Sequence, residues 1–364
     1  MHFQCTKEQL LPAVSLVEKA VASQNTVPII TGTHIKAASD TLILTSTNLE
    51  LSIQTKISAL ISTPGELIVD GKLFANIIRK LPDAPITFEL NTKLVIKAGT
   101  IEFTLNILSG EDFPAFPDPE DEMFTIPSNI LSKMIKNTIY ACGKDEKRPY
   151  ISGLLFELNN RKFKLVSTDI NRLSYFSIPL ENTNEDDFKY LVPFKTISEL
   201  HKNLPQDETP IKVYYLNTQM IFAFNEHKFA TRLIDDQFPN YLHLFPKNQP
   251  IMITSNKQSL QAAVDRASIL DHNGAQIIIL SINDGVLEIK TPSNNQDQIL
   301  EQLNVEHTGE NGHAAFSARY ILEMLKATSA QQVIFEFNME LRPCLLKPDT
   351  DDDHLYILMP IRLN

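Results

Sequence analysis

The sequence predicts an α+β chain made of three consecutive copies of one unit, each with two helices on antiparallel sheets. Three observations carry that reading. A short extended run feeds an amphipathic helix three times, in LIVDGKLFANIIRKLP (67–82), YLVPFKTISELHKNLP (190–205) and HAAFSARYILEMLKATS (313–329). The first helical residues fall at Gly71, Phe194 and Ser317, 123 residues apart both times. Each is followed by an apolar strand, a turn and another strand. These sequels open with ITFELN (86–91), IKVYYLN (211–217) and VIFEFNM (333–339), and close near Phe113-Pro114, Phe238-Pro239 and Met359-Pro360. A further helix opens each copy: TKEQLLPAVSLVEKAV (6–21), PSNILSKMIKNTIYAC (127–142) and NKQSLQAAVDRASIL (256–270). Similarity at a fixed period marks a repeated structural unit. It divides the 364 residues into domains of about 120, expected at 1–121, 122–247 and 248–364.

Within the copies, strands are read from period-two or β-branched runs: 41–47, 51–57, 93–99, 101–107, 162–168, 220–225, 276–282 and 286–290. NDG (283–285) and NTK (91–93) have hairpin spacing. The helices begin after Thr, Ser or Asn, whose side chains can accept the free N–H groups of a first turn. SGEDFPAFPDPEDE (109–122) and FPNYLHLFPKNQP (238–250) read as domain connectors, since Pro stiffens the chain and cannot donate to a sheet. The acidic runs at 120–122, 185–187 and 349–354 read as solvated loops.

Apolar residues at 43% and charged residues at 21% are the balance of a soluble globular chain. No run approaches the roughly 20 apolar residues of a membrane span, and the N-terminus lacks a secretion pattern. Cys5, Cys142 and Cys344 are odd in number and far apart, so reduced buried thiols in a cytosolic protein are expected. The net charge of −11 argues against nucleic acid; its distribution argues the reverse. The six expected helices carry thirteen basic and five acidic residues, a net +8, which leaves −19 elsewhere. Such segregation suits a protein with one surface facing phosphates. The competing reading is that lysines simply favour exposed helix faces.

Catalytic signals are absent: there is no GxSxG, Walker loop, GxGxxG or HExxH. Asp349, Asp351, Asp352, Asp353 and His354 lack the alternating spacing of a calcium loop and sit between two strands, so a hairpin turn is preferred. Asp169 and Arg172 in STDINRL (167–173) read as a turn with a local ion pair in preference to an acid and an anion clamp. No metal or cofactor site is expected.

STDINRL (167–173), LVPFKTISEL (191–200), TRLIDDQFPNY (231–241) and YILMPIRLN (356–364) occur in this order and in register with the repeat. Together they resemble the bacterial DNA polymerase III β subunit family, the sliding clamps, along the whole chain. The resemblance implies a head-to-tail homodimer whose six similar domains close a ring, with outer sheets and twelve inner helices. It implies a non-catalytic processivity factor that encircles duplex DNA and tethers polymerase, clamp loader and repair proteins. Phosphate-facing cations would be Lys72, Arg79, Lys80, Lys133, Lys136, Lys195, Lys202, Lys257, Arg266 and Lys326. Partner peptides would enter a cleft between the second and third domains. Its implied residues are Arg148, Ile151, Gly153, Thr168, Arg172 and Leu173, then Pro239, His243 and Leu244, and finally Ile357, Met359, Pro360, Ile361, Arg362 and Leu363. For Leu173, Leu244 and Ile357, plain core packing is the competing reading. Ring closure would use Phe103 and Leu105 on an edge strand and Ile269 and Leu270 at a helix end.

Four departures stand out. Ile170-Asn171 replaces the family's usual Gly-His, and a β-branched residue there restricts the backbone. His243 stands where Arg is common, Gln24 and Phe194 stand where Arg often lies near DNA, and Asn364 extends the end. Two other classes compete: a hydrolase or lyase using Asp169, Arg172 and the Asp351–His354 loop, and a structural protein of repeated sheets. The basic helices argue against the first and YILMPIRLN against the second.

Overall fold

The computed structural model describes residues 1–23, 27–108, 113–119, 121–145, 147–180, 187–270, 276–292, 298–350 and 353–363. Gln24, Asp351, Asp352, Asn364 and parts of the connector 109–122 and of the acidic run 185–187 lie outside them. The six long helices are α1 (Lys7–Val17), α2 (Gly71–Lys80), α3 (Ser128–Lys136), α4 (Phe194–Asn203), α5 (Lys257–Ser268) and α6 (Ala318–Ala327). The expected pattern of two helices per copy is present. Two opening helices are shorter than the apolar pattern suggested. α1 passes into a 3-10 turn at Glu18–Ala20, and α3 stops at Lys136 before a 3-10 turn at Ile139–Ala141. Side chains explain the second stop: Asn137 Nδ2 donates to Lys133 O, and Thr138 Oγ1 to Met134 O, so they take up the last carbonyls.

Caps follow the same chemistry. Thr6 and Gln9 form a reciprocal capping box at α1, Asp70 accepts from Leu73 N at 2.7 Å at α2, and Asn256 accepts from Ser259 N at 3.0 Å at α5. Ser317 precedes α6 but makes no side-chain capping bond. The expected NDG hairpin is a two-residue turn: Asp284 (φ 47) and Gly285 (φ 85) join Ile277–Asn283 to Val286–Lys290. Both central residues have positive φ, the geometry for which Asp-Gly is favoured.

The described residues fall into two compact units. One is built from 1–130 and 202–233, the other from 131–180, 187–201 and 234–363, so the middle repeat contributes to both. The first unit holds a five-stranded sheet, in the order Leu60–Thr63, His2–Thr6, Pro85–Leu90, Leu94–Ala98 and Ile101–Leu105. It also holds an eight-stranded sheet in which His227–Arg232 of the middle repeat pairs with Leu51–Ser58 of the first. Its core includes Phe74 and the stacked pair Phe3–Phe88, with ring centroids 4.5 Å apart. The second unit holds a nine-stranded sheet in which Arg172–Pro179 of the middle repeat pairs with His354–Leu358 of the last. It adds a four-stranded sheet in the order Leu300–Asn304, Val286–Lys290, Ile277–Asn283 and Gly312–Ser317. Phe316, Phe335, Phe337 and Tyr356 fill its core.

Among the described residues, no helix is long and apolar enough to cross a membrane, and no group of three or more His, Cys, Asp or Glu is placed to hold a metal. Asp349 and Asp353 flank the connection between the paired strands Cys344–Pro348 and His354–Leu358, the hairpin expected there. His354 is buried and stacked on Phe176 at 5.6 Å.

Candidate functional site

The hairpin turn at 168–172 in the second unit is fixed almost entirely by its own side chains. Thr168 Oγ1 donates to Arg172 O at 2.7 Å and accepts from Ile170 N at 3.0 Å. Asp169 Oδ1 accepts from Asn171 N at 3.1 Å and Arg172 N at 3.2 Å. Asp169 Oδ2 accepts from Arg172 Nε at 2.9 Å, which is the local ion pair expected from STDINRL. Arg172 does more than close the turn. Its Nη1 donates to Glu323 on α6, its Nη2 to Tyr140 O at 2.6 Å, and its guanidinium lies 4.2 Å from the Tyr320 ring centroid. Burial works against the charge, but the Tyr356 hydroxyl and the Glu323 carboxylate outweigh it and hold the pKa above the ordinary value. At 5% exposure Arg172 is a knot beneath the surface, not an open clamp for an anion.

Beside the turn lies an apolar cluster of Leu155, Val166, Leu173, Tyr175, Leu191, Tyr241 and Ile357, with Tyr150, Ile234, Phe238, Leu244, Phe245 and Leu355 packed on it half-buried. The connector 238–250 supplies four of these residues. Tyr241 pins it: its hydroxyl donates to Glu157 Oε2 at 2.9 Å, and its ring sits 6.1 Å from Tyr175 and 6.2 Å from Phe245. Burial, and then the Glu157 carboxylate, push the Tyr241 hydroxyl pKa far up, so it remains a donor. Glu157 is 3% exposed and also accepts from Lys164 Nζ at 3.2 Å. A buried carboxylate needs such partners to offset its desolvation.

The C-terminal segment runs along the turn. Met359 N donates to Asn171 O at 2.9 Å, and Ile361 N to Ala315 O at 2.7 Å. Pro360, Ile361, Arg362 and Leu363 line a cavity of about 180 Å³ with His313–Ala315 and Asn338–Leu341. His243 and Leu244 line a second, of about 440 Å³, reaching to Pro250 and Pro343. Residues 338–340 line both.

The fifteen expected cleft residues therefore occupy three levels. Ile151, Gly153, Thr168, Arg172, Leu173 and Ile357 are buried beneath the surface. Gly153 is there for close backbone approach: a Cβ would stand 2.6 Å from Val192 O. Leu244, Met359, Pro360 and Ile361 are half-buried, while Arg148, Pro239, His243, Arg362 and Leu363 are exposed. Arg148 is paired with Asp145 at 2.7 Å. The Lys147 amide first, and then Arg148, hold the Asp145 carboxyl below its usual range.

The basic helices show a regularity that composition did not. The second and ninth residues are cations in each of α2, α4 and α6: Lys72 and Arg79, Lys195 and Lys202, Arg319 and Lys326. All six are exposed, and a spacing of seven is two helical turns, so each pair shares one face. Lys80, Lys133, Lys136 and Arg266 are also exposed. Among the expected phosphate-facing cations, Arg79 pairs with Glu18 at 2.7 Å, Arg266 with Glu301, and Lys257 donates to Thr328 O at 3.2 Å. Lys133 sits over the Phe176 ring at 5.2 Å. Of the residues expected at ring closure, Ile269 is 76% exposed, Leu270 and Phe103 are half-buried, and Leu105 is buried.

Sequence reasoning missed Tyr140, Tyr320 and Glu323, which share the Arg172 knot, and Tyr241 with Glu157. The aromatic run FPNYLHLF signalled Tyr241. Glu323, the one acid on the otherwise basic α6, was a signal for a buried cation nearby.

Comparison with known proteins adds whole-chain likeness. The DNA polymerase III beta subunit family is matched three times: its N-terminal domain at residues 1–117, its central domain at 125–240 and its C-terminal domain at 242–362. The chain is 27% identical to a beta sliding clamp of Bacillus subtilis over 376 residues and 28% identical to one of Streptococcus pneumoniae over 380, covering all of both chains each time. Among solved structures it resembles the Bacillus subtilis DNA polymerase sliding clamp (TM-score 0.96, 27% identity) and the Pseudomonas aeruginosa DNA polymerase III subunit beta (TM-score 0.94, 28% identity), again over the whole of both chains. A Pseudomonas aeruginosa clamp solved with griselimycin matches at TM-score 0.94 and 29% identity.

Proposed function

From a chain that belongs to the DNA polymerase III beta subunit family, we infer a sliding clamp: a non-catalytic processivity factor that holds a replicative polymerase on duplex DNA. Two chains close a ring around the duplex, and the chain divides into domains near residues 121 and 247. The observation that carries this reading is the recurrence of exposed cations at the second and ninth positions of α2, α4 and α6. Phosphate attraction of this kind carries no sequence information and lets a protein move along DNA. Topology then supplies the retention that weak contacts do not. The cytoplasm is the compartment where this work is done.

Sheet edges support the head-to-tail dimer. The eight- and nine-stranded sheets each join strands of successive repeats. The five- and four-stranded sheets end at Ile101–Leu105 and Leu300–Asn304. Pairing one edge with the other in a second chain makes a third composite sheet and removes exposed edges. Ile269, 76% exposed at the end of α5, is available to that junction.

Partners dock in the cleft between the second and third domains. The buried residues Leu173 and Ile357 form its floor, Leu244 and Met359 its walls, and His243, Arg362 and Leu363 its rim. The test is fluorescence polarisation of a labelled clamp-binding peptide of the Gln-x-x-Leu-Phe type. The full chain binds in the micromolar range, and a chain ending at Leu358 binds at least tenfold more weakly, about 1.4 kcal/mol. Equal binding by both chains removes the C-terminal segment from the site.

A further inference from the structure

Ile170 is the one residue of the 168–172 turn whose presence neither the backbone nor the core accounts for. It sits at φ +84, a region that a β-branched side chain enters only with strain. The bonds from Thr168 and Asp169 hold the turn in place against that strain. Its side chain gains little from burial, being 44% exposed. Asn171, a residue type that tolerates positive φ, stands one position further on. A glycine at 170 would satisfy the turn with neither cost. A strained, exposed apolar residue held at a defined place is the form that a contact residue takes, with the inference running from the outlier to its use.

Its surroundings say what the contact is with. Asn171 O accepts from Met359 N at 2.9 Å, so the turn borders the C-terminal segment, and Leu173 two residues on enters the apolar cluster with Ile357. We propose that Ile170 is a specificity-determining residue of the peptide cleft, packing against the apolar anchor of a bound peptide and favouring an aliphatic anchor over an aromatic ring. This rests on the cleft reading above. The occupant is an extended peptide with one anchoring apolar side chain. The branched side chain at 170 takes up room at the rim that a flat ring would otherwise use, and it offers an aliphatic partner a surface to cover.

The experiment compares two labelled peptides that differ only in ending Leu-Leu or Leu-Phe, against the wild-type chain, Ile170→Gly and Ile170→Asn. Both substitutions relieve the backbone strain, so thermal stability holds or rises. A merely structural role then leaves binding equal or tighter for both peptides alike. The proposal expects the Leu-Leu peptide to lose at least fivefold in affinity in both variants while the Leu-Phe peptide gains or holds. An affinity ratio unchanged within twofold overturns the assignment of Ile170 and leaves the cleft standing. Failure of the wild-type chain to bind either peptide overturns the cleft and this proposal together.

Discussion

Replacing Arg172 with Ala removes the knot that joins the 168–172 turn to Tyr140 and α6, and the structure sets the size of the loss. The guanidinium gives up its bonds to Asp169 Oδ2 at 2.9 Å, to Tyr140 O at 2.6 Å and to Glu323, and its stacking on Tyr320. Breaking a buried pair by deleting one partner costs about 3–5 kcal/mol when the other charge is stranded. Neither acid here is fully stranded. Asp169 keeps the amides of Asn171 and Arg172, and the Glu323 side chain, 34% exposed, can turn to water. That favours the lower end, about 3 kcal/mol. At about 2–4 °C per kcal/mol for a unit of roughly 200 residues, the melting temperature falls by about 6–12 °C. Arg172→Lys should lose nearly as much, because an ammonium cannot span three acceptors and a ring. Thermal unfolding followed by circular dichroism is the assay. A fall of less than about 2 °C for Arg172→Ala would refute the reasoning and show that the knot adds little to the fold.

Three further outcomes are expected. Ile269→Ala combined with Leu270→Ala yields mainly monomer at low micromolar concentration in sedimentation velocity; a full dimer would remove the α5 end from the ring junction. Tyr241→Phe leaves buried Glu157 short of one donor and lowers stability by about 1–3 kcal/mol, measured by urea unfolding, whereas no change would show that Lys164 suffices. Burial raises the Cys5 and Cys344 thiols to about 12, so the folded chain should resist alkylation at pH 8 and react at these positions once unfolded in urea. Because the folded values are the raised ones, this contribution to stability is complete below the ordinary thiol range of about 8.5 and is lost as pH climbs towards 12.

Local signals were legible in the sequence, and pairings across the chain were not. The starts of α2 and α4 fall at Gly71 and Phe194, where the repeat put them, because apolar spacing is written on each helix alone. Asp284-Gly285 specified its turn by its own φ preferences. The Asp169–Arg172 pair was readable because its members are three residues apart. Glu323 is 151 residues from Arg172, and a lone acid on a basic helix does not say which cation it meets. For that reason the burial of Arg172 was not legible in the sequence. The sharing of the middle repeat between two units was hidden likewise, since it depends on edge pairings such as Arg172–Leu358 and Thr231–Leu51. At Ile170 the sequence suggested a restricted backbone, and the turn's hydrogen bonds overrode that preference.

The central claim is that topology, not affinity, keeps this protein on DNA. Its most direct test is to load the chain onto nicked circular plasmid with the clamp loader of a related bacterium, isolate the complex by gel filtration, and then cut half of it once with a restriction enzyme. The protein should stay with the circle and leave the linear molecule by running off its ends. Equal retention on circular and linear DNA, or no retention on the circle, would contradict it.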